Sequence, residues 1–224
     1  MAGGQGFRPK GVVAVAFRLA VIPAGSAGSA EQAKLLVAAM RARPSGLPPV
    51  AVVEVLGALE SSGLGDFTVW RRTDSRGALL SVRYPELGVL EGLLLLAKDR
   101  GLAVYDIKLN RLYDPTGAID VQVTQPGVRL PFLTRQLLVD VVLSPAWPDP
   151  EAPFVILDRA EQDFIQVWCS PHSYQLEYRE CGPDFHFIHI TDDPHLVIDV
   201  MWAWGIGNPY WRGAVPWIAV DLAG

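Results

Sequence analysis

Cysteine is nearly missing from this chain. Cys169 and Cys181 are the only two in 224 residues, which excludes a disulfide framework and favours free thiols in a reducing compartment. Lysine is missing beyond Lys108: all four (Lys10, Lys34, Lys98, Lys108) lie in the first half. No apolar run approaches the roughly eighteen residues that a membrane-spanning helix requires. There is no low-complexity block and no repeat at a solenoid period, so neither a disordered chain nor a repeat array is expected. Gly-x-Ser-x-Gly elbows and zinc-protease helix pairs do not occur. Gly25-Ser-Ala-Gly28 lacks the lysine and the spacing of a phosphate-cradling loop. No cofactor motif is legible.

What is present is apolar bulk and a lopsided charge. Half of the residues are hydrophobic, enough for a sizeable core in one large domain or two small ones. Residues 1–125 carry fourteen Lys/Arg against eleven Asp/Glu, net +3; residues 126–224 carry five against thirteen, net −8. A negative second half suits a basic partner and disfavours nucleic acid, although the same bias also simply keeps a protein soluble. Val12 to Ile22, preceded by Arg8 and Lys10 and followed by small residues, has the outline of a secretory signal. Arg18 interrupts it, as an outward position of a strand allows, and the spacing predicts a buried first strand.

The pattern predicts an α+β protein of two adjacent small modules, residues 1–122 and 123–224, the second built on an antiparallel meander followed by a helix. In the first module, helices are expected over Ala30–Arg43, Val50–Ser61 and Pro85–Arg100. The last has Leu90, Leu93, Leu94 and Ala97 as its inward stripe and Gly101 beyond its end. Strands are expected at Phe67–Arg71 and Ala78–Tyr84 across an Asp74-Ser-Arg-Gly77 turn, and again at Leu102–Asp106. Residues 121–130 read as a connector, because Gln, Thr, Pro and Gly interrupt the apolar pattern. Pro131–Leu143 reads as a helix, with a strand as the alternative because of its β-branched content, and Ser144–Pro153, with four prolines, reads as irregular. Phe154–Leu157 then leads into three strands, Phe164–Ser170, Tyr174–Glu180 and Phe185–Ile190, in which Tyr174, Leu176 and Tyr178 alternate with Gln175, Glu177 and Arg179. Asp192 or Asp193 caps a closing helix.

Cys169, His172, Cys181, His186 and His189 fall within 21 positions, a composition that zinc accepts. His186 and His189 are three apart in a strand and so face opposite ways, which speaks against a shared metal. No metal site is expected. Glu177, Glu180, Asp184, Asp192 and Asp193 form the densest carboxylate group. They read either as a solvated face with a helix cap or as a recognition surface. Arg71, Arg72, Arg76 and Arg83 beside Trp70 and Tyr84 have the make-up of a nucleic-acid patch, but the +3 charge of their module is a weak footprint. Aromatics crowd the end of the chain, where buried anchors or an interface would use them.

Phe164-Ile-Gln, Leu176-Glu-Tyr-Arg-Glu-x-Gly-Pro-x-x-His-Phe187, the Asp192-Asp193 helix and Gly207-x-x-x-Trp211-Arg-x-x-x-x-Trp217 together resemble small bacterial immunity-type proteins found beside polymorphic and contact-dependent toxins. The N-terminal half, through the segment from Leu94 to Asp106, is similar to another small, uncharacterised family of comparable gene neighbourhoods, and the two together would cover most of the chain as adjacent modules. The resemblance implies a cytoplasmic, non-enzymatic binder that occludes a toxin's active site. Glu177, Arg179, Glu180, Asp184, Asp192, Asp193 and Trp211 would then contact a protein partner, such as a basic toxin domain encoded nearby. Two other readings stand beside it: a secretion-associated adaptor or chaperone working through an apolar groove, and a small enzyme or metalloprotein using the Cys/His group 169–189.

Overall fold

The computed structural model describes residues 18–63, 68–82, 87–125, 128–143, 153–180, 182 and 185–220. β1 (Leu19–Pro23) is the middle strand of a five-stranded antiparallel sheet. Its five residues, Leu-Ala-Val-Ile-Pro, are a continuous run without a polar position because both of its faces are covered. Of the expected first strand, Val12–Phe17 lie outside the described residues.

β2 (Thr68–Asp74) and β3 (Gly77–Val82) form a hairpin on one side of β1, with Leu19 opposite Leu80 and Val21 opposite Ala78. β4 (Leu102–Asp106) and β5 (Arg111–Tyr113) extend the other side. Side-chain alternation then sorts two layers. Ala20, Ile22, Leu79, Ala103 and Tyr105 pack on α1 (Ala30–Ala42) through Ala33, Val37 and Met40. Leu19, Val21, Leu80 and Val104 point the other way, onto α2 (Val50–Ser61) and α3 (Leu87–Lys98).

The helix ends follow their sequence signals. Ser29 Oγ accepts from Gln32 N–H at 3.3 Å to cap α1, and Pro49 precedes α2. Arg76 satisfies the open end of α1: its Nη2 donates to Ala39 O at 3.2 Å and Arg43 O at 2.7 Å, while also meeting buried Asp74 Oδ2 at 2.6 Å. Arg71 pairs with Glu60. Two members of the arginine group are thus engaged in holding the first unit together.

The second sheet has seven strands in the order β12-β11-β10-β9-β8-β6-β7. β8 (Phe154–Ala160), β9 (Asp163–Ser170), β10 (Ser173–Arg179) and β11 (His186–Thr191) form the meander. The stretch expected to be a connector is a hairpin instead: β6 (Gln122–Gln125) pairs with β7 (Val128–Leu130) and lies along β8. Val123 and Gln125 are buried while Gln122 is exposed, so the strand alternates, but with a glutamine at an inward position the alternation is hidden from an apolar count. The expected helix over 131–143 is shorter, α4 (Arg135–Leu143), because Leu133 is still extended and bridges Ile119. Most of the proline-rich segment, residues 144–152, lies outside the described residues.

α5 (Pro194–Gly205), α6 (Tyr210–Gly213) and β12 (Ile218–Ala219) complete the chain. Val197, Val200, Met201 and Trp204 of α5 share one buried cluster with Ile165, Val167, Leu176 and Tyr178 of the meander. That cluster continues without a break through α4, Tyr113 and α3 to the first sheet. The fold is α+β, two antiparallel sheets with six helices among the described residues. Among those residues no helix is long and apolar enough to cross a membrane.

Candidate functional site: the outer face of the second sheet

Alternation and register build this face. Ser173 pairs with Ser170 across the turn at Pro171-His172, and that register sets Trp168 opposite Gln175, Gln166 opposite Glu177, and Phe164 opposite Arg179. On one side Phe154 and Ile156 pair with Trp168 and Gln166; on the other, His186 and Ile188 pair with Arg179 and Glu177. All these side chains share the face opposite to Ile165, Val167, Leu176 and Tyr178. The buried stripe of α5 lies on the latter side. The outer side leaves Trp168 44 % exposed, Ile190 61 % and Ile218 64 %.

Glu177 stands at the middle of this face. Its Oε1 accepts from Gln175 Nε2 at 2.6 Å, and its Oε2 from Gln166 Nε2 at 2.7 Å. His186 Nε2 is 3.2 Å from the same Oε2. Arg179 Nη2 lies 3.3 Å from His186 Nδ1. A guanidinium can only donate, so Nδ1 accepts, the ring proton sits on Nε2, and His186 donates to Glu177. Arg179 is held in turn by Gln162 Oε1 at 2.8 Å and lies over the Phe164 ring, 5.5 Å from its centre. A carboxylate so little exposed would cost several kcal/mol without donors; three surround it. Phe154 and Trp168 stack beside it with centroids 6.5 Å apart. Phe154, Ile156, Gln166, Trp168, Gln175 and Glu177 line a shallow dish of about 330 Å³.

The described members of the acidic group anticipated from sequence do not assemble into one ridge. Glu177 and Arg179 are on the outer face. Glu180, just past β10, forms a two-pronged pair with Arg212, both contacts at 2.6 Å. Asp192 is exposed, and Asp193 is the cap of α5, accepting from His195 N–H at 2.8 Å. Thr191 pairs with Tyr174, six positions along β10 from Glu180, so the two acidic groups are separated by about 20 Å at the usual strand rise. Asp184 lies outside the described residues.

Trp211, expected to contact a partner, lies in the core. It is 3 % exposed, with its ring edge-on to Tyr178 at 4.7 Å and the Arg212 guanidinium 4.4 Å over it. An amphipathic ring next to a charged residue is as well suited to closing a core as to meeting a partner. The residues that sequence reasoning passed over are Trp168, Phe154, Ile156, Gln166 and Gln175. Carrying the two-residue turn register back through β9 would have placed Trp168 and Gln166 beside Gln175 and Glu177.

Asp158, on the same outer face, accepts from Thr124 Oγ1 at 3.3 Å. Burial raises its carboxyl above the usual range, opposed by the Thr124 hydrogen bond and by Arg129. A carboxyl with a raised folded pKa penalises the fold above that pKa; the penalty fades as pH falls through the folded pKa and is gone below the unfolded value. Asp158→Asn is therefore expected to raise the urea midpoint at neutral pH and to leave it unchanged at about pH 3. A midpoint gain that persisted in acid would contradict this.

Among the Cys/His group, His186 and His189 do face opposite ways: His186 meets Glu177, while the ring of His189 lies edge-on to Trp217 at 6.3 Å. Cys169 is a buried free thiol on the inner face, pushed up to about 12 by burial. Cys181 lies outside the described residues. Iodoacetamide at neutral pH is expected to leave Cys169 unmodified in the folded protein and to label it fully in denaturant, as read by peptide mass mapping. Labelling of Cys169 in native protein would place the thiol elsewhere.

No protein-family model matches the chain. No curated protein and no solved structure matches it.

Proposed function

We propose that this chain is a non-enzymatic, cytoplasmic protein-binding protein of the immunity type, which covers the active site of a partner toxin with the outer face of its second sheet. One observation carries the reading. A seven-stranded sheet packs its inner face on helices while the outer face exposes Trp168, Ile190 and Ile218 around the buttressed carboxylate of Glu177. An apolar and aromatic centre with a few oriented polar groups is the composition of a protein interface core. The −8 charge of the second half adds attraction toward a cationic target and faster encounter. The test is inhibition of the protein encoded by the adjacent gene: stoichiometric loss of that protein's activity on mixing supports the reading, and undiminished activity at micromolar excess refutes it.

A second reading, an adaptor that holds a segment of a secreted protein, draws on the apolar character of the same face, since Trp168, Ile190 and Ile218 replace an acidic ridge. Binding only to the unfolded form of the neighbouring product would favour it.

A further inference from the structure

The docking reading leaves open what chemistry the dish receives. Of the six described residues that line it, Glu177 is the only charged one. A carboxylate offers about four acceptor positions, and three are filled: one on Oε1 by Gln175 and two on Oε2 by Gln166 and His186. Among the described residues the remaining position, on Oε1, has no donor. Both glutamines turn their amide N–H groups to Glu177, and among the described residues no donor meets Gln166 Oε1 or Gln175 Oε1. The dish is thus rich in acceptors. Its wall is the stacked pair Phe154 and Trp168, and Trp168 lies diagonal to Glu177 across the β9–β10 ladder, a separation of about 7 Å. That spacing suits a planar cation that stacks on a ring while its edge donates to a carboxylate.

We propose that the dish receives an arginine side chain of the partner protein, its guanidinium stacked on Trp168 and donating to Glu177 Oε1 and to the side-chain carbonyls of Gln166 and Gln175. This rests on the docking reading above and specifies the anchor that the partner must present. An apolar side chain would leave the fourth carboxylate position and the two amide oxygens without donors, and a neutral polar one would bring no charge to set against Glu177. An anion would meet Glu177 and be repelled. Arg179 is tied to Gln162 and His186 and is not among the described residues that line the dish.

The experiment is a nitrogen–proton correlation NMR titration of the full chain with N-acetyl-arginine amide, and in parallel with the neutral, near-isosteric citrulline amide. Saturable shifts at the Trp168 indole N–H and at the Gln166 and Gln175 amides are expected for the arginine probe, with binding at least tenfold weaker for citrulline. Glu177→Gln is expected to weaken the arginine probe tenfold or more. Should that substitution disturb the fold, Trp168→Leu at the exposed rim serves instead, with the same expected loss. No saturable shift, equal binding of citrulline, or binding unaffected by both substitutions overturns the inference. The outcome separates from that of the docking reading. If the probe fails while the neighbouring gene product still binds and loses affinity on Ile190→Asp, the anchor is wrong and the docking face stands. If the probe binds the dish while that product is not bound, the anchor chemistry stands and the proposed partner falls.

Discussion

Gly77→Ala is expected to lower the unfolding free energy by on the order of 3–5 kcal/mol, among the larger single-residue effects. Gly77 closes the Asp74-Ser-Arg-Gly77 hairpin with φ at 147°, a region that L side chains rarely enter. The second and larger cause is contact. A Cβ there would lie 2.1 Å from Val21 O and 3.2 Å from Ile22 Cα. Both are backbone atoms of β1, the central strand, which is paired on both sides. No side-chain rotation relieves such a clash; β3 must move off β1 or the hairpin must reshape. Gly57 supplies the contrast. It lies within α2, exposed, and a Cβ added there would meet nothing within 4 Å. Gly57→Ala is expected to stabilise by roughly 0.5–1 kcal/mol. Guanidinium unfolding of the two variants at constant m-value checks both signs. A Gly77→Ala midpoint within error of the parent would show that the hairpin is not seated on β1 in this way.

Trp204→Ala is expected to cost about 4–6 kcal/mol. A buried tryptophan removes 150–250 Å² from water, and at about 25 cal/mol per Å² that gives the stated range, close to measured large-to-small losses of about 3–5 kcal/mol. Trp204 is fully buried at the last turn of α5, with the Arg159 guanidinium 4.1 Å over its ring. It joins the helix to the inner face of the meander, so its removal also loosens the platform under Glu177. The measurable signature is a fall in unfolding midpoint together with faster amide exchange across β9 and β10 than across β1 and β4. Uniform exchange through both sheets would mean that the core responds as a single unit.

Much of the architecture was legible because it rests on short-range rules. α1, α2 and α3 lie where breakers, caps and inward stripes put them, and the meander strands alternate as the Tyr174-Leu176-Tyr178 pattern requires. The β6–β7 hairpin was not legible. Its inward Gln125 is buried beside Arg111, whose Nη1 donates to Gln125 Oε1 at 3.3 Å, and a buried polar pair between distant strands leaves no local apolar signature.

The site was legible by half. Glu177 and Arg179 belong to one face by alternation alone, but the carboxylates from 177 to 193 cluster only along the chain. Strand rise carries Glu180 and Asp193 to opposite ends of β10 and β11. Composition cannot tell an aromatic that closes a core from one that meets a partner; for Trp211 the contacts with Tyr178, Trp217 and Arg212 show a core position. Trp168 was overlooked because its neighbours Val167 and Cys169 are apolar. Only the cross-strand register shows that it stands beside Glu177.

The central claim is that the outer face of the second sheet is the surface that a partner protein covers. Isothermal calorimetry of the neighbouring gene's product against outer-face variants (Trp168→Ala, Ile190→Asp) and against a variant of the exposed face of α2 (Val53→Asp) tests it most directly. Affinity is expected to fall at least tenfold for each outer-face substitution and to stay at the parent value for Val53→Asp. Undiminished affinity for both outer-face variants, or a loss confined to Val53→Asp, would contradict the account.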